Sequence, residues 1–595
     1  MGIEFVDGLK DFFSAGADGV SFEIPLEPCP DGMGGDFTVN CFRFAKILKA
    51  NPMEVAARAG EYLRGRSEVE SVDVVKAFVN IVLEPGALHG LGVARLDDLL
   101  SVPAVSAEDR RKVLVEYSAP NTNKPQHLGH VRNNTLGMSL VSLLRKVGHE
   151  VVAVNLVNDR GIHICKSMVA YRRFGNGATP ESAGKKGDHF VGDFYVEFEK
   201  EFQRQLAELK VSKPELEGKS SDELFLETDI GREAQETLRE WEAGDEKVRG
   251  LWKTMNSWVL AGFEETYRRM GVEFDKTYYE SGTYSLGRDI ILDGMEKGIF
   301  NRRADGAVVI DLGKKLGEKV VLRSDGTSVY ITQDIGTTLK KRDEFAPDSQ
   351  VWVVGDEQKR HFEVLFAILA RLGVVEAENF RHLAYGMVNL PSGKMKSREG
   401  TVVDADDLFD EMAGLARSAT LERHSENVPD DVEERSETIG MGALKFMLLK
   451  FNPKTTIMFN PEESVKFEGD TGPYVQYACA RINSILRKVG VSTDEPVSAD
   501  IDWSLLSSSY ERRISVLALQ YPAVLRKAAS AMDCSGIVTY LLDLSKAFNR
   551  FYRECPVLAA DNESLKLARL ELCRRVRGVL ADGLDVLTIG VPEAM

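Results

Sequence analysis

The stretch EYSAPNTNKPQHLGHVRNNTLG, from Glu116 to Gly137, decides the fold of this chain. The apolar run Val113-Leu114-Val115 precedes it and predicts a strand. An amphipathic run that ends near Lys146 follows it and predicts a helix that opens with Pro125. Open α/β sheets bind ligands at the carboxyl ends of their strands, and a helix N-terminus at such an edge favours phosphate. The stretch therefore predicts a phosphate-binding loop at the edge of a parallel sheet.

The loop and the predicted first helical turn carry four residues suited to a nucleotide: Lys124, His127, Gly129 and His130. The two histidines are three positions apart, so both imidazoles are expected on one face of the first turn. Gly129 carries no side chain, so a flat group can approach the backbone there. A capped helix with two partly exposed histidines would show the same short pattern, so the His-x-Gly-His alone leaves both interpretations open.

Composition limits the possible classes of protein. The chain has 595 residues, 43% of them hydrophobic, and a net charge of −17. At about 150 residues per domain this length suggests three to five domains. An acidic chain is not a dedicated nucleic-acid binder of the usual basic kind, although a large enzyme can still carry a local basic face.

The sequence shows no targeting or membrane segment and no metal-binding cysteine pattern. There is no apolar run of about 18 residues, and the start, MGIEFVDGLKDFF, lacks a basic-then-apolar signal. No CxxC pair occurs, which argues against a structural zinc site and a secreted disulfide framework and favours a reducing cytoplasm. The seven cysteines are Cys29, Cys41, Cys165, Cys479, Cys534, Cys555 and Cys573.

Three regions follow one another along the chain. Residues 1–108 are expected to form a separate α/β module, and residues 461–595 a nearly all-helical one. Between them, residues 109–460 alternate strands with helices, which predicts a doubly wound parallel sheet, with an insertion at about 175–250. The predicted strands of this middle region are Val113–Val115, Val151–Val157, Val308–Leu312, Val320–Arg323 and Val351–Val354.

Two further stretches carry chemically useful residues. GKMKSREGTVVD, from Gly393 to Asp404, is a basic loop of a kind that can reach over bound phosphates. In Tyr330-Ile331-Thr332-Gln333-Asp334, the tyrosine and the aspartate are four apart and face one pocket if a helix opens there, which would suit a cationic substrate. Taken alone, the first stretch is more typical of a solvated basic turn and the second of ordinary surface polarity.

Taken together in order, these motifs resemble the class I aminoacyl-tRNA synthetases, and within them the arginyl-tRNA synthetases. EYSAPNTNKPQHLGH resembles their "HIGH" region, and NDRGIH resembles their Gly-Asp-Trp-Gly loop. The segments SDGTSVYITQDIG, VVGDEQKRHFEVL, GMVNLPSGKMKSREGT, TGPYVQYACARI and the final IGVPEAM then follow in family order. The resemblance implies a Rossmann-like doubly wound catalytic domain, an N-terminal α/β domain that touches the tRNA and a C-terminal helical anticodon-binding domain.

The resemblance also implies a reaction and a set of residues for it. The family uses ATP, accompanied by Mg²⁺ as part of the substrate, to form arginyl-adenylate, and then transfers the arginyl group to the terminal adenosine of tRNA(Arg). Activation in this family usually requires bound tRNA, and no structural metal is expected. The implied catalytic residues are His127, His130, Lys124 and Lys394; the implied ATP-binding residues are His127, Gly129, His130, Lys394, Met395, Lys396 and Ser397.

Specificity for arginine requires acceptors for a planar cation. By match to the family, Asp334 takes the guanidinium with Tyr330 close by, and Gln358 lies near the substrate. Glu116 and Asn121 match positions that hold the α-amino group and the carboxylate. For tRNA, Gln476, Tyr477 and Arg481 fall on the best-matched C-terminal helix, where aromatic and arginine side chains can stack on bases.

The sequence departs from the family pattern at three places. The usual Lys-Met-Ser-Lys-Ser loop is Lys394-Met395-Lys396-Ser397-Arg398 here, so either Lys124 compensates or Lys396 acts one position out of register. Arg160 stands where relatives often carry Trp, and Cys479 where many carry His. The remaining alternatives are another HIGH-containing nucleotidyl transferase and a non-catalytic tRNA-binding paralogue. The resemblance favours an active monomeric cytoplasmic ligase that binds tRNA(Arg), arginine and ATP and no membrane.

Overall fold

The fold is known from a computed structural model that describes residues 26–30, 33–101, 104–391, 403–423, 428–498 and 500–595. Fourteen strands are assigned in these ranges: β1 (Glu27–Pro28), β2 (Phe37–Asn40), β3 (Val69–Val75), β4 (Phe78–Leu83), β5 (Lys112–Glu116), β6 (Glu150–Val157), β7 (Lys276–Tyr279), β8 (Asn301–Arg302), β9 (Val308–Asp311), β10 (Glu318–Leu322), β11 (Ser349–Gly355), β12 (Arg381–Tyr385), β13 (Val388–Asn389) and β14 (Ile457–Met458).

The α-helices in the same ranges are more numerous than the strands. They are α1 (Phe42–Ala45), α2 (Pro52–Arg64), α3 (Leu96–Ser101), α4 (Leu128–Val147), α5 (Ile162–Phe174), α6 (Pro180–Ala183), α7 (Gly187–Ser212), α8 (Asp229–Ala243), α9 (Glu246–Met270), α10 (Leu286–Glu296), α11 (Gly313–Leu316), α12 (Tyr330–Phe345), α13 (Lys359–Arg371), α14 (Ala405–Arg423), α15 (Val432–Leu449), α16 (Pro461–Ser464), α17 (Gly472–Lys488), α18 (Ser509–Leu519), α19 (Tyr521–Ala531), α20 (Ser535–Glu554) and α21 (Glu563–Val586).

A five-stranded sheet of order β12-β11-β5-β6-β7 forms the middle of the molecule, and every neighbouring pair in it is parallel. The three inner strands, β11, β5 and β6, are apolar runs because helices cover both faces of such a sheet. Val113, Leu114 and Val115 of β5 are all buried. The predicted α/β class and the predicted strands β5, β6 and β11 are confirmed. β5 lies between β6 and β11, so the strand order reverses beside it, which is where open α/β sheets bind ligands.

Two predicted strands do not belong to this sheet. The segments predicted at Val308–Leu312 and Val320–Arg323 do form strands, β9 and β10, but they pair antiparallel and build a separate three-stranded sheet with β8. Alternation of strands with helices predicts that a strand forms but not which sheet it joins. The parallel sheet instead gains β7 and β12 at its two edges.

The helix after β5 begins later than predicted. It starts at Leu128 and not at Pro125, because His127 has extended backbone with φ −135° and ψ 174°. This extended residue forms an antiparallel bridge with Asp404. A contact with a distant segment therefore sets the helix start.

The flanking regions pack on the central domain. An antiparallel sheet of order β1-β2-β4-β3 with α2 against it forms the N-terminal module, and Arg512 of α18 ties it to the helical C-terminal region by bonding Asp36 and the Leu83 carbonyl. In the helical C-terminal region, α18 and α19 are separate helices, with Pro522 in the first turn of α19. The insertion predicted at 175–250 is helical and contains α6, α7 and α8 and the start of α9.

None of the helices in the described ranges is both long enough and apolar enough to cross a bilayer.

Close packing of α4 on the loop after β5 gives a testable prediction about stability. A Cβ added at Gly137 would lie 2.2 Å from Cγ of the buried Tyr117 ring. We expect Gly137→Ala to lower the free energy of unfolding by about 1–3 kcal/mol through overpacking, as measured by urea denaturation. Gly250→Ala, in the exposed part of α9 where nothing lies within 4 Å, is the matched control and should gain up to about 1 kcal/mol. Equal stability of the two variants would contradict the packing described.

Candidate functional site

Three of the polar segments picked out in the sequence meet at the carboxyl edge of the central sheet. β5 ends at Glu116, β6 at Val157 and β11 at Gly355, and the three strands are adjacent. Asn121 of the first loop forms a parallel bridge with Asn158 of the second. The loop of Lys124 and the histidines, the NDRG loop and Gln358 therefore lie at one edge of the sheet.

The two histidines of the first loop form a reciprocal cap on α4. The Gly129 amide donates to His127 Nδ1 at 3.1 Å, and the His127 amide donates to His130 Nδ1 at 3.2 Å. The two ring centroids are 4.0 Å apart. Since both Nδ1 atoms accept hydrogen bonds, each neutral ring carries its proton on Nε2. The helix N-terminus thus presents two Nε2–H donors beside each other.

Gly129 is required by this cap. A Cβ at this position would lie 2.9 Å from Cε1 and 3.0 Å from Nδ1 of His127. A side chain would therefore displace the His127 ring from the helix end. Gly129 therefore has a structural role in the cap, besides the open approach for a flat group that was inferred from the sequence.

Burial keeps both imidazoles uncharged near neutral pH. Burial and the nearby Lys124 ammonium lower the pKa of His127 to about 4. Burial, His127 and Lys124 likewise lower the pKa of His130 well below its ordinary value. Burial also lowers the pKa of Lys124 itself. Both imidazoles are therefore neutral near pH 7, and Lys124 is the cation beside them.

The protonation state of His127 can be checked by NMR. With a pKa of about 4, the folded protein keeps the neutral Nε2–H form of this ring as the pH falls from about 8 to about 5. An ordinary histidine, with a pKa near 6.5, becomes an imidazolium over the same interval. Nitrogen-15 shifts of labelled histidines, assigned with His127→Asn, should show a flat titration for this ring. A midpoint near 6.5 would contradict the buried cap.

The end of the basic segment Gly393 to Asp404 pairs with the loop that carries the histidines. The Leu128 amide donates to the Val403 carbonyl at 2.9 Å, and the Ala405 amide donates to the Gln126 carbonyl at 3.0 Å. The chain that follows GKMKSREGT is thus paired with the histidine loop. The predicted ATP-binding residues of this motif, Lys394, Met395, Lys396 and Ser397, lie outside the described residues.

A charged cluster holds this junction against the insertion. Lys186 donates to Asp406 at 2.6 Å and to the buried Asp188 at 3.3 Å, and His189 Nε2 lies 3.2 Å from Asp406 and 3.3 Å from Asp404. Asp188, His189 and Asp406 are close enough to share a metal ion. The Lys186 ammonium already bonds two of these carboxylates and neutralises part of their charge. We therefore interpret the cluster as an ion-pair network that holds α7 against α14, and not as a metal site.

The predicted arginine-binding residues lie around the same edge. Asp334 lies one turn into α12, and its Oδ2 is 2.5 Å from His361 Nε2. Tyr330 opens the helix and is 79% exposed, and Gln358, after β11, is exposed as well. Glu116 is buried and ion-paired to Lys341, whose ammonium lies 5.3 Å from the Trp352 ring centre. The last residue of β5 therefore already has a cationic partner.

One acidic residue of the site was not predicted from the sequence. Glu280 follows β7 directly, and burial, with contributions from Asp159 and Asp334, raises the pKa of its carboxyl, while Arg160 opposes the rise. Glu280 and Asp334 therefore lie in one electrostatic neighbourhood. The signal available in the sequence was the polar pair Glu280-Ser281 after an aromatic run, but β7 itself had not been identified as a strand.

Of the three predicted tRNA-binding residues, two lie near the surface and one does not. Gln476 has 0% exposure, and its amide donates to the Thr438 and Gly590 carbonyls. Tyr477 lies between two guanidinium groups, with its ring centre 4.7 Å from Arg481 and 5.2 Å from Arg423. Burial and the two hydrogen bonds donated by its Nε2 support a packing role for Gln476, whereas Tyr477 and Arg481 are partly exposed.

Comparison with known proteins covers nearly the whole chain. Three family models match: "tRNA synthetases class I (R), catalytic domain" over residues 96–460, "DALR anticodon binding domain" over 475–595, and "Arginyl tRNA synthetase N terminal domain" over 4–83. Arginine--tRNA ligase of Parabacteroides distasonis is 43% identical over 99% of this chain and 98% of its own length. Arginine--tRNA ligase of Porphyromonas gingivalis is 44% identical, with 98% of this chain and 97% of the relative covered.

Solved structures agree with these sequence matches. The arginyl-tRNA synthetase of Thermus thermophilus superposes with a TM-score of 0.81 at 27% identity, covering 99% of this chain and 100% of that one. That of Plasmodium falciparum superposes with a TM-score of 0.76 at 19% identity and covers 99% of both chains, which shows a shared fold.

Proposed function

The chain belongs to the arginyl-tRNA synthetase family and is an arginine–tRNA ligase, and we propose that the edge of the sheet around β5 carries out its chemistry. The single observation that carries the proposal is the pair of neutral Nε2–H donors of His127 and His130 at the same edge as the acidic pair Glu280 and Asp334. The donors suit a phosphate and the carboxylates suit a guanidinium.

In the proposed first step, the arginine carboxylate attacks the α-phosphorus of ATP, an acyl–phosphate bond forms, and pyrophosphate leaves. Negative charge then builds on the phosphoryl oxygens, and His127 Nε2–H and His130 Nε2–H donate to them while Lys124 supplies positive charge. Such positioned donors stabilise phosphoryl transfer without covalent participation of the protein. Lys394, Met395, Lys396 and Ser397 are proposed to contact the ATP phosphates, with Mg²⁺ bound to the same oxygens as part of the substrate.

The substrate arginine is proposed to lie with its guanidinium between Asp334 and Glu280. Two carboxylates match the planar fork of donors, and a site built in this way leaves unpaired charges when another amino acid enters. Tyr330 and Gln358 border the pocket. Asn121 is proposed to hold the substrate carboxylate, and Glu116 the α-amino group, through the oxygen that does not bond Lys341.

In the second step, a ribose hydroxyl of the terminal adenosine attacks the activated carbonyl, the ester forms and AMP leaves. We propose that residues 1–108 and 461–595 hold the tRNA, the latter with Tyr477 and Arg481 at the surface. We further propose that the enzyme acts as a cytoplasmic monomer.

The function is tested by charging tRNA with each standard amino acid in turn in the presence of ATP. We expect labelled arginine to become acid-precipitable on tRNA, and omission of ATP or tRNA to abolish the signal. Charging with a different amino acid would overturn the assignment of substrate. Binding of tRNA without charging of any amino acid would favour the non-catalytic paralogue.

A further inference from the structure

Arg160, in the loop after β6, occupies an unusual place for a cation. Its side chain is only 10% exposed although it lies at the edge of the sheet. One terminal nitrogen, Nη2, lies 2.7 Å from Glu242 Oε1 on α8, and the other, Nη1, lies 3.9 Å from Glu280 Oε1. The guanidinium also covers two rings, 4.1 Å from the centre of Tyr284 and 5.3 Å from that of Trp241.

These contacts make Arg160 the meeting point of three segments. The residue itself belongs to the loop after β6, Glu242 and Trp241 belong to the insertion, and Glu280 and Tyr284 follow β7. A guanidinium offers two faces for aromatic rings and an edge for carboxylates, whereas lysine offers only a point charge. The insertion and the pocket carboxylate are therefore held by one planar side chain.

The ionised form of Glu280 depends on the Arg160 cation more than that of an exposed glutamate would, because Glu280 is largely buried. Two other acidic groups act on it: Asp159 from the loop after β6 and Asp334 from α12. Behind them, Glu242 of α8 binds the far side of Arg160, and His361 of α13 binds Asp334. Burial and the neighbouring carboxylates favour the protonated form of Glu280. The Arg160 guanidinium favours the ionised form.

We propose that Arg160 is a positioning residue for arginine recognition, which aims the Glu280 carboxylate at the substrate guanidinium and fastens the insertion to the rim of that pocket. This inference rests on the proposed function, because it assumes that arginine binds between Glu280 and Asp334. In this proposal Arg160 acts through Glu280, so its replacement is expected to affect arginine binding and to spare ATP binding.

The test compares steady-state ATP–pyrophosphate exchange of the full-length protein, with tRNA present, for the wild type, Arg160→Gln, Arg160→Lys and Arg160→Trp. We expect Arg160→Gln to raise the KM for arginine about tenfold or more, with the KM for ATP unchanged. Arg160→Lys should recover part of the loss because it restores the charge. Arg160→Trp restores the volume of the side chain without its charge. This variant should therefore fold well, but its KM for arginine should stay raised, as in Arg160→Gln.

Arg173→Gln is the matched control. Arg173, on α5, is likewise ion-paired with a glutamate of α8, Glu233, at 2.6 Å, but it does not contribute to the pKa shift of Glu280. We expect this variant to keep the wild-type KM for arginine, so a similar loss in Arg173→Gln would show a structural effect and overturn the inference. A wild-type KM for arginine in Arg160→Gln would overturn it as well.

The pH dependence provides a second readout that a structural role would not change. Burial and the neighbouring carboxylates already raise the pKa of Glu280, and loss of the cation should raise it further. The KM for arginine in Arg160→Trp should therefore fall more steeply than the wild-type KM as the pH rises from about 6 to about 8. The wild-type KM should change less over the same interval. Equal pH profiles would overturn the inference, whereas a wild type without arginine-dependent exchange would instead overturn the proposed function.

Discussion

Replacing His130 with alanine is expected to slow arginine-dependent ATP–pyrophosphate exchange by about 10²–10³-fold. Removal of one positioned donor at a developing oxyanion typically costs this much in rate. His130 lies in the first turn of α4, and its Nδ1 is occupied by the His127 amide, so its Nε2–H is the atom available to the phosphate. Single-turnover formation of the adenylate measures the effect on the chemical step.

The same substitution also removes one hydrogen bond of the cap, so a control for helix stability is needed. Thr179→Ala removes a comparable reciprocal cap, between Thr179 and Ser182 of α6, away from the sheet edge. Each loss should lower the free energy of unfolding by about 1 kcal/mol. If Thr179→Ala slows exchange as strongly as His130→Ala does, or if His130→Ala leaves the rate unchanged, the proposed role of the Nε2–H is wrong.

The second large effect is expected for Asp334→Ala. Loss of one charged partner of a hydrogen-bonded ion pair costs at least about 2–5 kcal/mol, so the KM for arginine should rise by about 10²-fold or more. The KM for ATP should stay near the wild-type value, because Asp334 lies on α12 and not in the histidine loop. Initial rates of exchange, measured at varied concentrations of arginine and then of ATP, give the two KM values separately.

Asp343→Asn serves as the matched control for this variant. Asp343 is exposed and lies on the same helix, but among the described contacts it bonds only the neighbouring, half-buried Arg342. It should exchange at the wild-type rate with the wild-type KM for arginine. Lost ATP binding with normal arginine affinity in Asp334→Ala would show that this carboxylate is misassigned.

The sequence predicted those parts of the site that follow a recognisable strand. Val113–Val115 and Val351–Val354 are apolar runs that only a covered parallel strand explains well, so the polar residues after them could be placed at one edge. Glu280 was missed because it follows β7, whose sequence KTYY has no such run. The role proposed for Glu280 depends on its burial and on the influence of Asp334, neither of which sequence spacing shows.

Contacts between distant segments account for the other differences. His127 is extended because it pairs with Asp404, which no local pattern around Pro125 reveals. Gln476 has a sequence position that suggests a surface helix, but the carbonyls of Thr438 and Gly590 enclose its amide. Local pattern thus predicts which elements form, whereas tertiary packing decides which of their side chains reach a ligand.

The central claim is that this sheet edge activates arginine with ATP. The most direct measurement is exchange of labelled pyrophosphate into ATP with each standard amino acid, with and without tRNA(Arg). We expect exchange with arginine, which in this family usually requires tRNA, and a rate reduced about 10²-fold or more in His130→Ala. Exchange supported by another amino acid, or arginine-dependent exchange that is unaffected by both His130→Ala and Asp334→Ala, would contradict it.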